Sequence, residues 1–170
     1  SAPGHEDPFH ARFGPFDQQL AHDRDDVLVY TTAPLEQPLR FAGPITADLY
    51  VSADTPDADW IVLLNDIHPS GFAHTVASGI LRGSARESLL HPSPMEPGKI
   101  YRIQVDLGHS AAVIQPGHRL CAQVQGTLFP VYDRNKHTGE GPDGSTTRVS
   151  VESVHHSRQH PSAILLPVMN

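Results

Sequence analysis

Ile45-Thr46-Ala47-Asp48-Leu49-Tyr50-Val51-Ser52 alternates residue by residue. Ile45, Ala47, Leu49 and Val51 share one side; Thr46, Asp48, Tyr50 and Ser52 share the other. Side chains of a strand change face at every residue, so this period predicts a strand with one face in a core. The pattern returns further on: Tyr101, Ile103, Val105 and Leu107 would face inward, and Ile100, Arg102, Gln104 and Asp106 outward. Trp60–Ile67 is more continuously apolar, as expected of a central strand covered on both faces. Asp25-Asp26 precede Val27–Thr32, a run rich in β-branched residues. Pro69-Ser70-Gly71 predicts a hairpin turn into Phe72–Arg82.

Shorter strands are predicted at Leu39–Ala42, Ala111–Ile114, Arg119–Val124, Thr147–His155 and Ser162–Leu166. Ser84–Leu90 fits either a short helix or an extended edge, and Lys136–Thr146 reads as a polar, Gly-rich loop. No long segment keeps a helical period. About ten strands at this spacing predict an all-β fold of two packed antiparallel sheets. The predicted inward residues are Val29, Leu49, Val51, Leu63, Ile80, Ile103, Val105, Leu120, Val124 and Leu165.

A chain of 170 residues supports one domain with a real core. Residues 1–16 mix Pro, Gly, His and charge without periodicity and read as an irregular arm; the domain proper is 17–170. The 16 Pro and 13 Gly point to short elements separated by turns. A net charge of −7 opposes phosphate binding and argues against a nucleic-acid partner. No apolar run approaches the length of a membrane span, and the first residues lack the pattern of a signal peptide, so the compartment stays open and leans to the cytoplasm. The single cysteine, Cys121, lies in an alternating strand pattern and reads as a buried, inert thiol.

The motifs that carry hydrolytic chemistry are missing. Gly-x-Ser-x-Gly, the strained turn that presents a serine nucleophile, does not occur. Ser, His and Asp are plentiful, but no serine sits at a strand-to-helix elbow, so no catalytic residue is expected. The 12 histidines include His155-His156 with His160, and His68 and His74 around the hairpin turn. Neither a helical His-x-x-x-His nor a Cys/His quartet occurs, so these read as polar surface residues. No metal and no cofactor is expected. Asp133-Arg134-Asn135-Lys136-His137 lacks the Gly and Glu that an EF-hand loop needs. Asp133, Arg134 and Asn135 read instead as a structural turn, with Asp and Asn bonding nearby backbone N–H groups and Arg134 pairing with Asp133 or Glu87.

Several segments, taken in order, are similar to one family. These are Gly14-Pro15-Phe16-Asp17-Gln18, Asp26 through Leu35, Gly43-Pro44, Asp57-Ala58-Asp59-Trp60, and Gly79-Ile80-Leu81-Arg82 with Arg86-Glu87-Ser88. Pro116-Gly117-His118-Arg119-Leu120, Phe129-Pro130 through Thr138-Gly139, and His160-Pro161-Ser162 to Val168 follow. Together they resemble the C-terminal domain of the cocaine-esterase/X-Pro dipeptidyl-peptidase family of serine hydrolases. Gly108 departs from the pattern, standing where an aromatic residue is common. The resemblance implies a jelly-roll β-sandwich of galactose-binding-domain-like shape. It implies a partner in the same parent chain, an α/β-hydrolase catalytic domain with a Ser-Asp-His triad acting on esters, amides or Xaa-Pro peptides. This chain would then be the accessory half, packing on that domain and shaping its active-site entrance. Phe9, Phe13 and Phe16 in the arm, with Phe129 and Tyr132 beside the polar loop, are the expected interface, onto the catalytic domain or a second copy. An independent carbohydrate- or ligand-binding sandwich is the alternative, by analogy of fold alone.

Overall fold

The computed structural model describes residues 17–141 and 143–169. One turn of helix, α1 (Gln19–His22), precedes eight strands. These are β1 (Val27–Thr31), β2 (Leu39–Ala53), β3 (Asp59–Ile67), β4 (Ala73–Arg82), β5 (Tyr101–Ile114), β6 (Arg119–Gln125), β7 (Glu152–His155) and β8 (Ala163–Leu165). They form two antiparallel four-stranded sheets stacked as a sandwich. The first runs β1-β6-β3-β4; the second runs β5-β2-β7, with β8 also pairing with β2.

Eight strands stand where about ten were expected, because two pairs fuse. Leu39–Ala42 and Ile45–Ser52 are one strand, and so are Ile100–Leu107 and Ala111–Ile114. Turn-forming residues misled the reading in both. Pro44 lies opposite His109 and Thr46 opposite Asp106, so Ile45 faces the Leu107-Gly108 step across a bulge. Gly108 takes φ 77°, a left-handed conformation that suits glycine. The glycine that departs from the family pattern therefore bends the two longest strands without ending them. Ser84–Leu90 resolves into a short 3₁₀ turn at Gly83–Ala85 followed by irregular chain.

The core lies between the sheets. Phe41, Ile45, Leu49 and Val51 of β2 and Ile103, Val105, Leu107 and Ile114 of β5 meet Trp60, Val62 and Leu64 of β3. Leu63 is buried too, but it points to the opposite face of β3 and belongs to a second, outer layer. That layer holds a chain of buried amides. Thr75 donates to Asn65 Oδ1 (2.9 Å), Asn65 Nδ2 to Gln123 Oε1 (3.1 Å), and Gln123 Nε2 to Gln125 Oε1 (3.0 Å). His22 of α1 reaches the same Gln123 oxygen at 3.1 Å. Cys121 lies in this layer fully buried, and burial pushes its thiol up from the ordinary value.

Besides Leu63, four predicted inward residues need correction. Val29 and Ile80 are half-buried on the outer face, and Leu120 is half-buried at the core margin. Leu165 is 51% exposed. Register explains it: Leu165 lies opposite Thr46, an outward position of β2, while its neighbour Ile164 lies opposite the core residue Ala47 and packs inward.

The facing sheet leaves no room for a side chain at Gly79. A Cβ there would stand 2.0 Å from the backbone oxygen of Asp106 in the facing sheet. Only a hydrogen fits that gap.

Candidate functional site at the carboxylate end of the sandwich

β3 begins at Asp59, and the loops joining β2 to β3, β4 to β5 and β6 to β7 gather around that end. Asp59 is 1% exposed. A buried carboxylate must be paired and fully hydrogen-bonded. Arg82, its cross-strand partner on β4, supplies a two-pronged bond: Nε to Oδ1 and Nη2 to Oδ2, both 2.8 Å. The Asp59 carboxylate holds the Arg82 guanidinium above its ordinary value. Asn135 adds a third bond, Nδ2 to Asp59 Oδ1 at 2.8 Å.

Through Asn135 this pair fixes the polar loop. Asn135 Oδ1 accepts the His137 backbone N–H at 2.8 Å, closing a turn that leaves His137 at φ 59°. The His137 ring lies 3.1 Å from the backbone oxygen of Asp57, and Arg82 also reaches the carbonyl of Asp133 at 3.5 Å. Asp57 in turn accepts the backbone N–H groups of Ala58 and Ser84 and the Ser84 hydroxyl, tying the β4–β5 connection to the same point. Asp133 and Asn135 thus both engage the Asp59–Arg82 pair. Arg134 does something else: its guanidinium lies over the Phe129 ring, 4.7 Å from the centroid. The partner considered for it, Glu87, stands beside Arg86 at 3.7 Å.

Phe129 is 46% exposed, an aromatic face held in solvent beneath a cation. Tyr132 is half-buried. Phe9, Phe13 and Phe16 lie outside the described residues. The sequence reading passed over Leu89 and Leu90, which are 84% and 85% exposed in the irregular β4–β5 connection at this same end. Two adjacent leucines outside any periodic segment were the available signal.

Glu152, the first residue of β7, sits against Gly126 and 3.8 Å from the His137 ring. Burial and the nearby charges of Asp59, Asp57 and Asp54 push its carboxyl up to about 8. The folded chain therefore keeps a proton on Glu152 between the ordinary value of 4.5 and about 8, where the unfolded chain has released it. Stability should fall as pH rises through that window and level off above it. Glu152→Gln should flatten this slope and stabilise the chain at the alkaline end. Urea unfolding of both proteins at about pH 5 and about pH 8.5 checks it. An unchanged slope in the variant would remove Glu152 as its source.

Among the described residues of this end, no histidine hydrogen-bonds a serine hydroxyl. Elsewhere, Ser52 Oγ and His155 Nε2 are 3.0 Å apart. Ser52 lies within a regular strand, and among the described residues no carboxylate hydrogen-bonds His155, whose ring lies beside that of His160. A triad needs a third, orienting acid and an exposed nucleophile elbow.

Residues 2–165 match the family described as the X-Pro dipeptidyl-peptidase C-terminal non-catalytic domain. The chain belongs to that family. Cocaine esterase of Rhodococcus sp. (strain MB1 Bresler) is 39% identical over 163 residues, covering 92% of this chain but 28% of that protein. A solved α-amino acid ester hydrolase superposes with a TM-score of 0.88 at 34% identity, over 91% of this chain and 27% of the other. An aminopeptidase from a marine sediment Thaumarchaeota archaeon gives 0.86 at 32% identity, over 92% and 28%. This X-Pro dipeptidyl-peptidase C-terminal domain thus spans little more than a quarter of its relatives' length. In these relatives the domain is fused to a catalytic hydrolase domain in the same chain.

Proposed function

We propose that this domain is the accessory half of an α/β-hydrolase-type serine hydrolase of the X-Pro dipeptidyl-peptidase or acyl esterase class. It packs on the catalytic domain and helps shape the mouth of its active site. One observation carries this reading: a non-catalytic family covers nearly the whole chain, while the hydrolases that share it are several times longer. The connections support a jelly-roll reading of the sandwich, since β1 to β2, β2 to β3, β4 to β5, β5 to β6 and β6 to β7 each pass from one sheet to the other. The loop from Phe129 to Gly139 is the docking element. It is stapled to Asp59 through the Asn135 side chain and to Arg82 through the Asp133 carbonyl, yet it holds Phe129 half in solvent. A rigid loop with an exposed aromatic ring suits a protein partner, because little entropy is lost when it docks.

Amide hydrogen exchange across residues 128–139 tests this in the isolated chain and in the full-length parent hydrolase. Protection gained in the parent is the expected result. Equal exchange in both would place the loop away from the catalytic domain.

A further inference from the structure

The opposite end of β3 holds a second cluster of titratable groups. Asp66, 7% exposed, stands one residue before the end of the strand, hydrogen-bonded into the sheet between β4 and β6. His118 arrives from the turn between β5 and β6, and His68 from the turn between β3 and β4. His118 Nδ1 is 2.9 Å from Asp66 Oδ1, and His68 Nε2 is 3.6 Å from Asp66 Oδ2. The two imidazole rings lie 4.4 Å apart, and one ligand atom from each residue falls within 4.8 Å of the others.

We propose that Asp66, His68 and His118 form a binding site for a divalent first-row transition ion, best suited to Zn²⁺. Two imidazoles and a carboxylate are a donor set that zinc accepts, and three protein ligands leave a fourth position for water. Zinc holds such ligands tetrahedrally at about 2.0–2.2 Å, which sets their mutual spacing at about 3.3–3.6 Å. The His68–Asp66 distance of 3.6 Å already lies there, and the 2.9 Å His118–Asp66 hydrogen bond must lengthen by a few tenths of an ångström. The ion takes the place of the hydrogen between His118 Nδ1 and Asp66 Oδ1, leaving the His118 proton on Nε2.

The frame around the cluster is fixed before any ion arrives. The His118 carbonyl accepts the Leu35 N–H at 2.8 Å, and the neighbouring Gly117 N–H returns a bond to the Leu35 carbonyl at 2.8 Å. The His68 N–H donates to the Phe72 carbonyl at 2.9 Å, and the Phe72 ring meets the His68 ring edge-on at 5.5 Å. Ligands carried on a strand and two pinned turns need little rearrangement to close on a metal. The sequence hid this site because His118 lies 52 positions from Asp66, outside any short ligand motif.

Isothermal titration of the purified chain with Zn²⁺, and the visible absorption of its Co²⁺ form, test the site. One ion per chain is expected, with cobalt bands of a nitrogen- and oxygen-ligated centre. His68→Ala and His118→Gln should each weaken binding by roughly tenfold or more. The His68 side chain is 38% exposed, so its removal should leave the fold intact, which circular dichroism checks. His160→Ala, in the separate histidine cluster at the end of β7 and the β7–β8 connection, should change nothing. Failure to bind, or binding that survives His68→Ala and His118→Gln, would overturn the proposal. So would binding lost in His160→Ala instead.

Discussion

Arg82→Met should destabilise the chain by about 3 kcal/mol, toward the lower end of what breaking a buried ion pair costs. The long apolar stem of methionine replaces most of the lost packing, so the loss is electrostatic. Asp59 would keep one side-chain bond, from Asn135, and lose both prongs of the guanidinium. Its carboxylate is almost wholly buried and cannot turn to water. Arg82 is itself partly exposed, and this solvent screening holds the expectation below the upper range. The damage should spread, because Asn135 and the Asp133 carbonyl anchor the polar loop to the same pair. Urea unfolding gives the size, and a double variant with Asp59→Asn should recover part of it by removing the stranded charge. A loss under about 1 kcal/mol would show that the pair is an ordinary surface bridge.

Gly79→Ala should cost more than about 2 kcal/mol although it adds a single methyl group, the smallest overpacking change possible. The new Cβ would meet backbone, 2.0 Å from the Asp106 oxygen and 3.2 Å from the Leu107 Cα. A side chain could swing aside; a strand hydrogen-bonded along its length to β2 can yield only by separating the sheets. Gly108→Ala is a useful comparison. Nothing lies within 4 Å of the position, so its cost arises from the left-handed backbone alone. Thermal denaturation of both variants should rank Gly79→Ala as the more harmful, and the reverse order would show that the sheets are not clamped at this point.

What the sequence revealed and what it concealed follow from the range of the forces involved. The alternation through β2 and β5 was plain, since a strand with one buried face writes its burial as a two-residue period. The boundaries were not, because Pro44 and Gly108 are local turn signals that the facing strand absorbed in a bulge. Leu165 was misplaced because register, set by pairing with β2, decides which neighbour turns inward. At the carboxylate end, the tendency of Asn135 to bond a nearby backbone N–H was local and visible. Its anchor, Asp59, lies 76 positions away, so only the folded chain brings the two together. Arg134 was assigned an acidic partner by charge, whereas proximity gave it the Phe129 ring. The raised carboxyl of Glu152 arises first from burial and then from three aspartates that precede it by more than ninety residues, and both exist only in the folded chain.

The decisive measurement is turnover of p-nitrophenyl esters and Xaa-Pro arylamides by the purified chain, with and without a serine-directed phosphonate. The expected result is no turnover above the buffer rate and no phosphonate labelling, because Gly-x-Ser-x-Gly does not occur and, among the described residues, no serine sits on a nucleophile elbow. Phosphonate-sensitive hydrolysis that disappears on substitution of a single serine, Ser52 being the first to try, would contradict it.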